Sequence, residues 1–97
     1  MVEHVVIFKI KKNTPADKVK AMTESLNGLK NKIPELIDMH AGINFSDRNK
    51  DFGVMLVSRF RNKEDLKIYV DHPEHRKVIE EKIQPIREDL IVADLEY

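Results

Sequence analysis

The sequence predicts an α+β fold in which strands and helices follow one another in the order β-α-β-β-α-β. Three observations carry this. The runs Glu3–Ile10 and Phe52–Phe60 are dense in valine, isoleucine, phenylalanine and methionine and are apolar on both sides, as strands of a covered sheet are. Between Thr14 and Pro34, apolar residues recur at spacings of three and four. A second helical pattern, interrupted at His72-Pro73, precedes a last apolar run at 89–97. The 97 residues are enough for a core of their own, so one domain over 1–97 is expected.

Composition removes several function classes. Lys+Arg and Asp+Glu both number 17, so no long-range field attracts nucleic acid. The 35% of charged residues form no long block of one sign, which describes a solvated surface. Without cysteine there is no disulfide framework, thiolate nucleophile or cysteine-bound zinc. No apolar run approaches the roughly 20 residues that span a bilayer, and the first residues lack the basic flank and cleavage site of a signal peptide. A cytoplasmic protein with no membrane or nucleic-acid partner is expected.

In the first strand, His4, Val6, Phe8 and Ile10 fall on one face and Val5 and Ile7 on the other. Thr14-Pro15-Ala16-Asp17 then reads as a helix start, with Thr14 as cap and Asp17 completing a capping box. Val19, Met22, Leu26, Leu29 and Ile33 give one apolar stripe, Gly28 is a mild defect within it, and Pro34 ends the helix near Lys32. Ile37–Phe45 alternates, with Ile37, Met39, Ala41, Ile43 and Phe45 on the buried side. The polar run Ser46–Asp51 makes a loop, so the next strand, Phe52–Phe60, returns antiparallel. There Val54, Leu56 and Phe60 share one face, Met55 and Val57 the other.

Asn62 caps the second helix, whose short apolar face is Leu66, Tyr69 and Val70. Pro73 disfavours a helical His72 and suits the first turn of a following helix, which Pro85 ends near Gln84. Asp89–Tyr97 is the last strand. This order is the split βαβ, ferredoxin-like plan: a four-stranded antiparallel sheet with the helices on one face. The plan leaves the other face uncovered, where Val5, Ile7, Met55 and Val57 would lie. An apolar patch there marks an association surface, and two such sheets face to face make a symmetric homodimer.

The candidate site centres on Tyr69-Val70-Asp71-His72-Pro73-Glu74-His75. A phenol and two imidazoles here flank one corner of the chain. Imidazole titrates near neutrality, so a tuned His75 could take a proton from a carbon acid. Tyr69, hydrogen-bonded to His75, could hold that ring or donate to a developing enolate oxygen. His4 could polarise a carbonyl from the sheet side. Val6, Phe8 and Leu66 would wall the pocket, with His72 beside them as a further binding residue. Read as structure alone, Tyr69 packs in the core and His75 caps a helix. No glycine-rich phosphate loop and no nucleophile elbow is present, so no cofactor and no metal are expected.

The opening His4-Val5-Val6-Ile7-Phe8-Lys9-Ile10, the Ile33-Pro34 helix end and Tyr69-x-x-His72-Pro73-x-His75 resemble the stress-responsive A/B barrel domain (Dabb) family over essentially the whole chain. The resemblance implies a dimeric α/β barrel. That family contains plant stress-induced proteins, bacterial proteins without an assigned role, and a plant polyketide cyclase that closes its substrate by an aldol reaction without cofactor or metal. In that cyclase the residues matching Tyr69 and His75 form the acid/base pair, and a histidine matching His4 shares their pocket. The cyclase's substrate-shaping residues have no recognisable counterpart here, so the polyketide does not carry over. Three functions fit: a homodimer with a pocket for a small, partly apolar molecule; a cofactor-free cyclase, isomerase or lyase using His75 and Tyr69; and a non-catalytic assembly unit.

Overall fold

Strands β1 (Val2–Ile10), β2 (Asp38–Ile43), β3 (Val54–Phe60) and β4 (Arg87–Glu96) pair in the order β2-β3-β1-β4, every neighbour antiparallel. The computed structural model describes all residues, 1–97. Helices α1 (Ala16–Gly28), α2 (Lys63–Asp71) and α3 (Pro73–Val78) cover one face of the sheet, giving the ferredoxin-like α+β arrangement. The two central strands bury alternate residues, so the period-two pattern maps directly onto layers. Val2, Val6, Phe8, Val54, Leu56 and Phe60 share one core with Met22 and Leu26 of α1 and with Leu29 and Ile33 just beyond it.

The opposite face matches the expectation from alternation. Val5 stands across from Val57 and Ala93, and Ile7 across from Met55 and Ile91. No element of the chain covers them, and Ile91 and Leu95 are exposed. An ion pair between Arg59 and Glu3, to which the Tyr97 hydroxyl also donates, rims this patch. The guanidinium, and then the phenol, hold the Glu3 carboxyl below the usual carboxylate range.

Several local expectations are corrected. Thr14 does not cap α1: its hydroxyl donates to the Lys11 carbonyl, and Pro15 sits at the cap position without a side-chain bond. Gly28 is the last residue of α1 and not an interior defect, because the chain tightens there into a 3₁₀ turn at Leu29–Asn31. The second strand ends at Ile43, so Ile43 and Phe45 are exposed and only Met39 and Ala41 of that face pack inward. Its free edge is closed by Asn27 of α1, whose amide both donates to and accepts from the Ala41 backbone. The Ala41 backbone is thereby unavailable to another strand.

The third strand begins at Val54 and not Phe52, since Asn44 and Asn49 tie the loop before it with side-chain to backbone bonds. After α3 the backbone widens into a π-helical turn at Ile79–Ile83, with the Gln84 N–H donating to the Ile79 carbonyl at 2.8 Å. Pro85 follows immediately, and β4 begins two residues earlier than its composition indicates.

Asn62 does cap α2, accepting from the Asp65 N–H at 2.8 Å. Because α2 carries Tyr69, this bond also fixes the site's foundation. Replacing Asn62 by alanine is expected to lower stability by about 1 kcal/mol. For a domain of this size that lowers the melting temperature by roughly 4–8 °C. A urea unfolding series checks this, and an unchanged midpoint would mean the cap contributes nothing.

Candidate functional site

Between the helices and the β1–β4 half of the sheet lies a cavity of about 310 Å³. Its walls follow from the strand register. His4, Val6 and Phe8 stand opposite Asp94, Val92 and Leu90, so these six residues form one continuous surface. α2 contributes Leu66, Tyr69 and Val70, and the chain beyond the break contributes His75, Ile79 and Ile83. Eleven of the fifteen lining residues are hydrophobic, so the polar groups are few and each is identifiable.

Of the residues singled out from the sequence, His4, Tyr69, His75, Val6, Phe8 and Leu66 all line this cavity. His72 does not. Its Nδ1 accepts the Glu74 N–H at 3.1 Å and caps α3, and its ring borders a shallow surface groove with Asp71 and Pro73. The extended backbone at His72 that Pro73 imposes makes it a helix cap and turns it away.

Tyr69 and His75 converge across the break, but by stacking. Their ring centroids lie 4.2 Å apart with planes tilted by 34°, and no hydrogen bond joins them. The corner lays the imidazole over the phenol face and out of line with its hydroxyl. Tyr69 is fully buried, and Phe60 and His4 pack against it at centroid distances of 5.2 and 6.2 Å. Its hydroxyl is left without any partner. An unmade bond on a buried hydroxyl costs about 1–3 kcal/mol. Burial pushes the phenol well above its ordinary value, so it stays protonated and can donate.

The His75 Nδ1 lies 3.0 Å from the Val70 carbonyl oxygen. A carbonyl only accepts, so Nδ1 carries the hydrogen and Nε2 keeps its lone pair. Burial lowers the His75 pKa from its ordinary value, which leaves the ring neutral and able to accept a proton at pH 7. On the sheet side, the His4 Nδ1 meets the Asp94 carboxylate at 2.5 Å. That contact holds the ring's orientation in the same way, with Nε2 as its remaining nitrogen.

Asp94 and Arg87 are the polar lining residues that the sequence reading missed. The signal for Asp94 was present: with the first and last strands paired, alternation puts Leu90, Val92 and Asp94 on the histidine's face. Nothing comparable announced Arg87.

These features place the chain among ferredoxin-like proteins with an internal cavity between helices and sheet. The chain matches the family model of the Stress responsive A/B Barrel Domain over residues 2–97, and it belongs to that family. Two Arabidopsis thaliana proteins are similar in sequence. Stress-response A/B barrel domain-containing protein DABB1 is 35% identical over 98 residues, covering 97% of this chain and 46% of that protein. A second stress-response A/B barrel domain-containing protein of the same plant is 32% identical over 99 residues, covering 97% of this chain and 36% of that protein. The chain thus spans less than half the length of the curated relatives it matches.

Among solved structures, Arabidopsis thaliana At3g17210 superposes with a TM-score of 0.89 at 21% identity, covering 100% of this chain and 95% of that one. A dimeric ferredoxin-like protein of unknown function from Bacteroides fragilis gives 0.81 at 26%, covering 99% and 95%. A hydroxynitrile lyase from Passiflora edulis gives 0.85 at 20%, covering 97% and 90%. No helix of the chain is long and apolar enough to cross a membrane.

The lowered His75 pKa has a defined consequence. A histidine whose folded pKa lies below its unfolded value of 6.5 binds fewer protons folded than unfolded. Its contribution is complete above that value and is lost as pH falls through the folded midpoint. An NMR titration of the imidazole signals is expected to give a His75 midpoint below 6.5. A midpoint at or above that value would show the ring to be solvated and not tuned by the cavity.

Proposed function

We propose that the chain works as a homodimer joined through its uncovered sheet face, each protomer offering its cavity to a small, partly apolar molecule that carries an oxygen acceptor. The single observation behind the ligand reading is the buried Tyr69 hydroxyl, protonated and unpartnered, in a residue that lines a largely apolar cavity. Buried polar groups in folded proteins are nearly always paired. A ligand oxygen at this hydroxyl supplies the missing bond, while Val6, Phe8 and Leu66 take its hydrocarbon.

The dimer is supported by the patch of Val5, Ile7, Met55 and Val57 on a face no helix covers, and by the dimeric description of a similar structure. Sedimentation at micromolar concentration is expected to give twice the 11.3 kDa chain mass. Val57→Asp is expected to give monomers, since it would bury an unpaired carboxylate at the contact. A wild-type monomer, or an undisturbed dimer in the variant, would reject the interface.

A second reading, proton transfer, is favoured by His75. Its neutral ring and free Nε2 stand on the Tyr69 ring, so a ligand carbonyl bonded to Tyr69 would bring its α-carbon near a base. Abstraction there leaves an enolate whose oxygen the Tyr69 hydroxyl stabilises, with His4 as a further polarising group. The lyase among the structural neighbours carries this fold. A ketone with a hydrocarbon chain, 2-octanone, is a suitable probe for both readings.

Binding followed by NMR is expected to shift signals of Tyr69, His75 and His4, and Tyr69→Phe is expected to weaken it roughly two- to tenfold. Shifts elsewhere only, or none, would remove the ligand reading. In D₂O, enzyme-dependent exchange of deuterium next to the carbonyl is the sign of the acid/base reading. His75→Ala is expected to reduce that rate about a hundredfold to ten-thousandfold. Saturable binding without exchange leaves the non-catalytic role.

A further inference from the structure

The end of the cavity opposite the His4–Asp94 pair is occupied by Arg87, half-buried at the start of β4. It makes no ion pair and no side-chain hydrogen bond. The carboxylates next to it in sequence are engaged elsewhere: Glu88 binds Lys9 at 3.1 Å, and Asp89 accepts the Leu90 N–H. Its position comes from a break in register. From Val2–Glu96 to Lys9–Asp89 the pairing of β1 and β4 runs without a slip, but Ile10 then pairs with Arg87, skipping Glu88. Continued pairing would set Glu88 opposite Ile10, on the helix-covered face. The bulge sends Glu88 to Lys9 and turns Arg87 onto the cavity face in its place. Bulges commonly re-aim one side chain in this way beside a functional site.

The half-buried guanidinium lines the cavity together with Phe8, Ile79, Ile83 and Leu90, and no carboxylate of the chain meets it. We infer that the cavity is built for an amphiphilic monocarboxylate, its carboxylate held by Arg87 and its hydrocarbon lying along those four residues toward Tyr69. Guanidinium and carboxylate match as a planar, two-bond pair. The apolar walls favour a single negative charge over a doubly charged phosphate, because the cost of desolvating an ion rises steeply with its charge. This assignment rests on the ligand-binding reading of the cavity and names the class of ligand it takes.

The test compares octanoate with octanamide, which has the same chain and no charge, by calorimetry and by NMR on the whole chain at pH 7. Octanoate is expected to bind about tenfold or more tightly than octanamide, shifting signals of Leu90, Ile79 and Tyr69. Arg87→Gln is expected to abolish that preference while octanamide binding persists, and Arg87→Lys to restore part of it. Octanamide thus reports whether each variant keeps a folded cavity. Equal affinity of the two probes for the wild type, or an octanoate preference that survives Arg87→Gln, would overturn the carboxylate assignment and leave the cavity as a ligand site. Binding of neither probe would overturn the cavity reading as well.

Discussion

Pairing of the first strand with the last is the interaction on which the cavity depends. The β1–β4 ladder joins opposite ends of the chain, from Val2–Glu96 to Ile10–Arg87, and at its far end the Met1 and Tyr97 backbones bond to each other. That one register sets His4 against Asp94, Val6 against Val92 and Phe8 against Leu90, and so builds an entire wall of the cavity. The bulge at Lys9/Ile10 belongs to the same ladder and decides which charge closes its other end. A shift of one residue along it would turn every one of these side chains to the opposite face.

Against this wall the helical layer contributes a corner and not a continuous surface. Pro73 stops α2, leaves His72 extended and restarts the chain as α3, so that His75 comes to rest on the Tyr69 ring. The π-helical turn that follows places both Ile79 and Ile83 on the cavity. Residues four apart also share a face of an ordinary α-helix, so the spacing of Ile79 and Ile83 by itself sets both on one side. Widened turns of this kind gather at functional sites. Two helix irregularities and one strand irregularity thus border the cavity.

The two faces of the sheet divide the labour. The helix side holds the core and the cavity. The other side presents Val5, Ile7, Met55 and Val57 at the centre, Ile91 and Leu95 on the edge strand, and a charged rim at Glu3 and Arg59. An apolar centre with a polar rim is the anatomy of a protein interface. Both faces share the backbone of β1, so any partner on the outer face also stiffens the strand that carries His4.

The sequence by itself determined the order of elements, the two-faced character of β1 and β3, the break at His72-Pro73, and the membership of His4, Tyr69 and His75 in one neighbourhood. The first three follow from local periodicity and proline geometry, which act over a few residues, whereas the shared neighbourhood of His4, Tyr69 and His75 follows from the family resemblance. It did not determine the stacking of His75 on Tyr69, the outward turn of His72, the orphaned Tyr69 hydroxyl, or the loss of Ile43 and Phe45 from the core. Nor did it announce Asp94 and Arg87 as lining residues. Those depend on register, on the path of a corner and on which surfaces the helices reach. Tertiary pairing alone decided them, because a strand's alternation names two faces but only its partner strand fixes where each residue stands along them, and a single bulge exchanges Glu88 for Arg87.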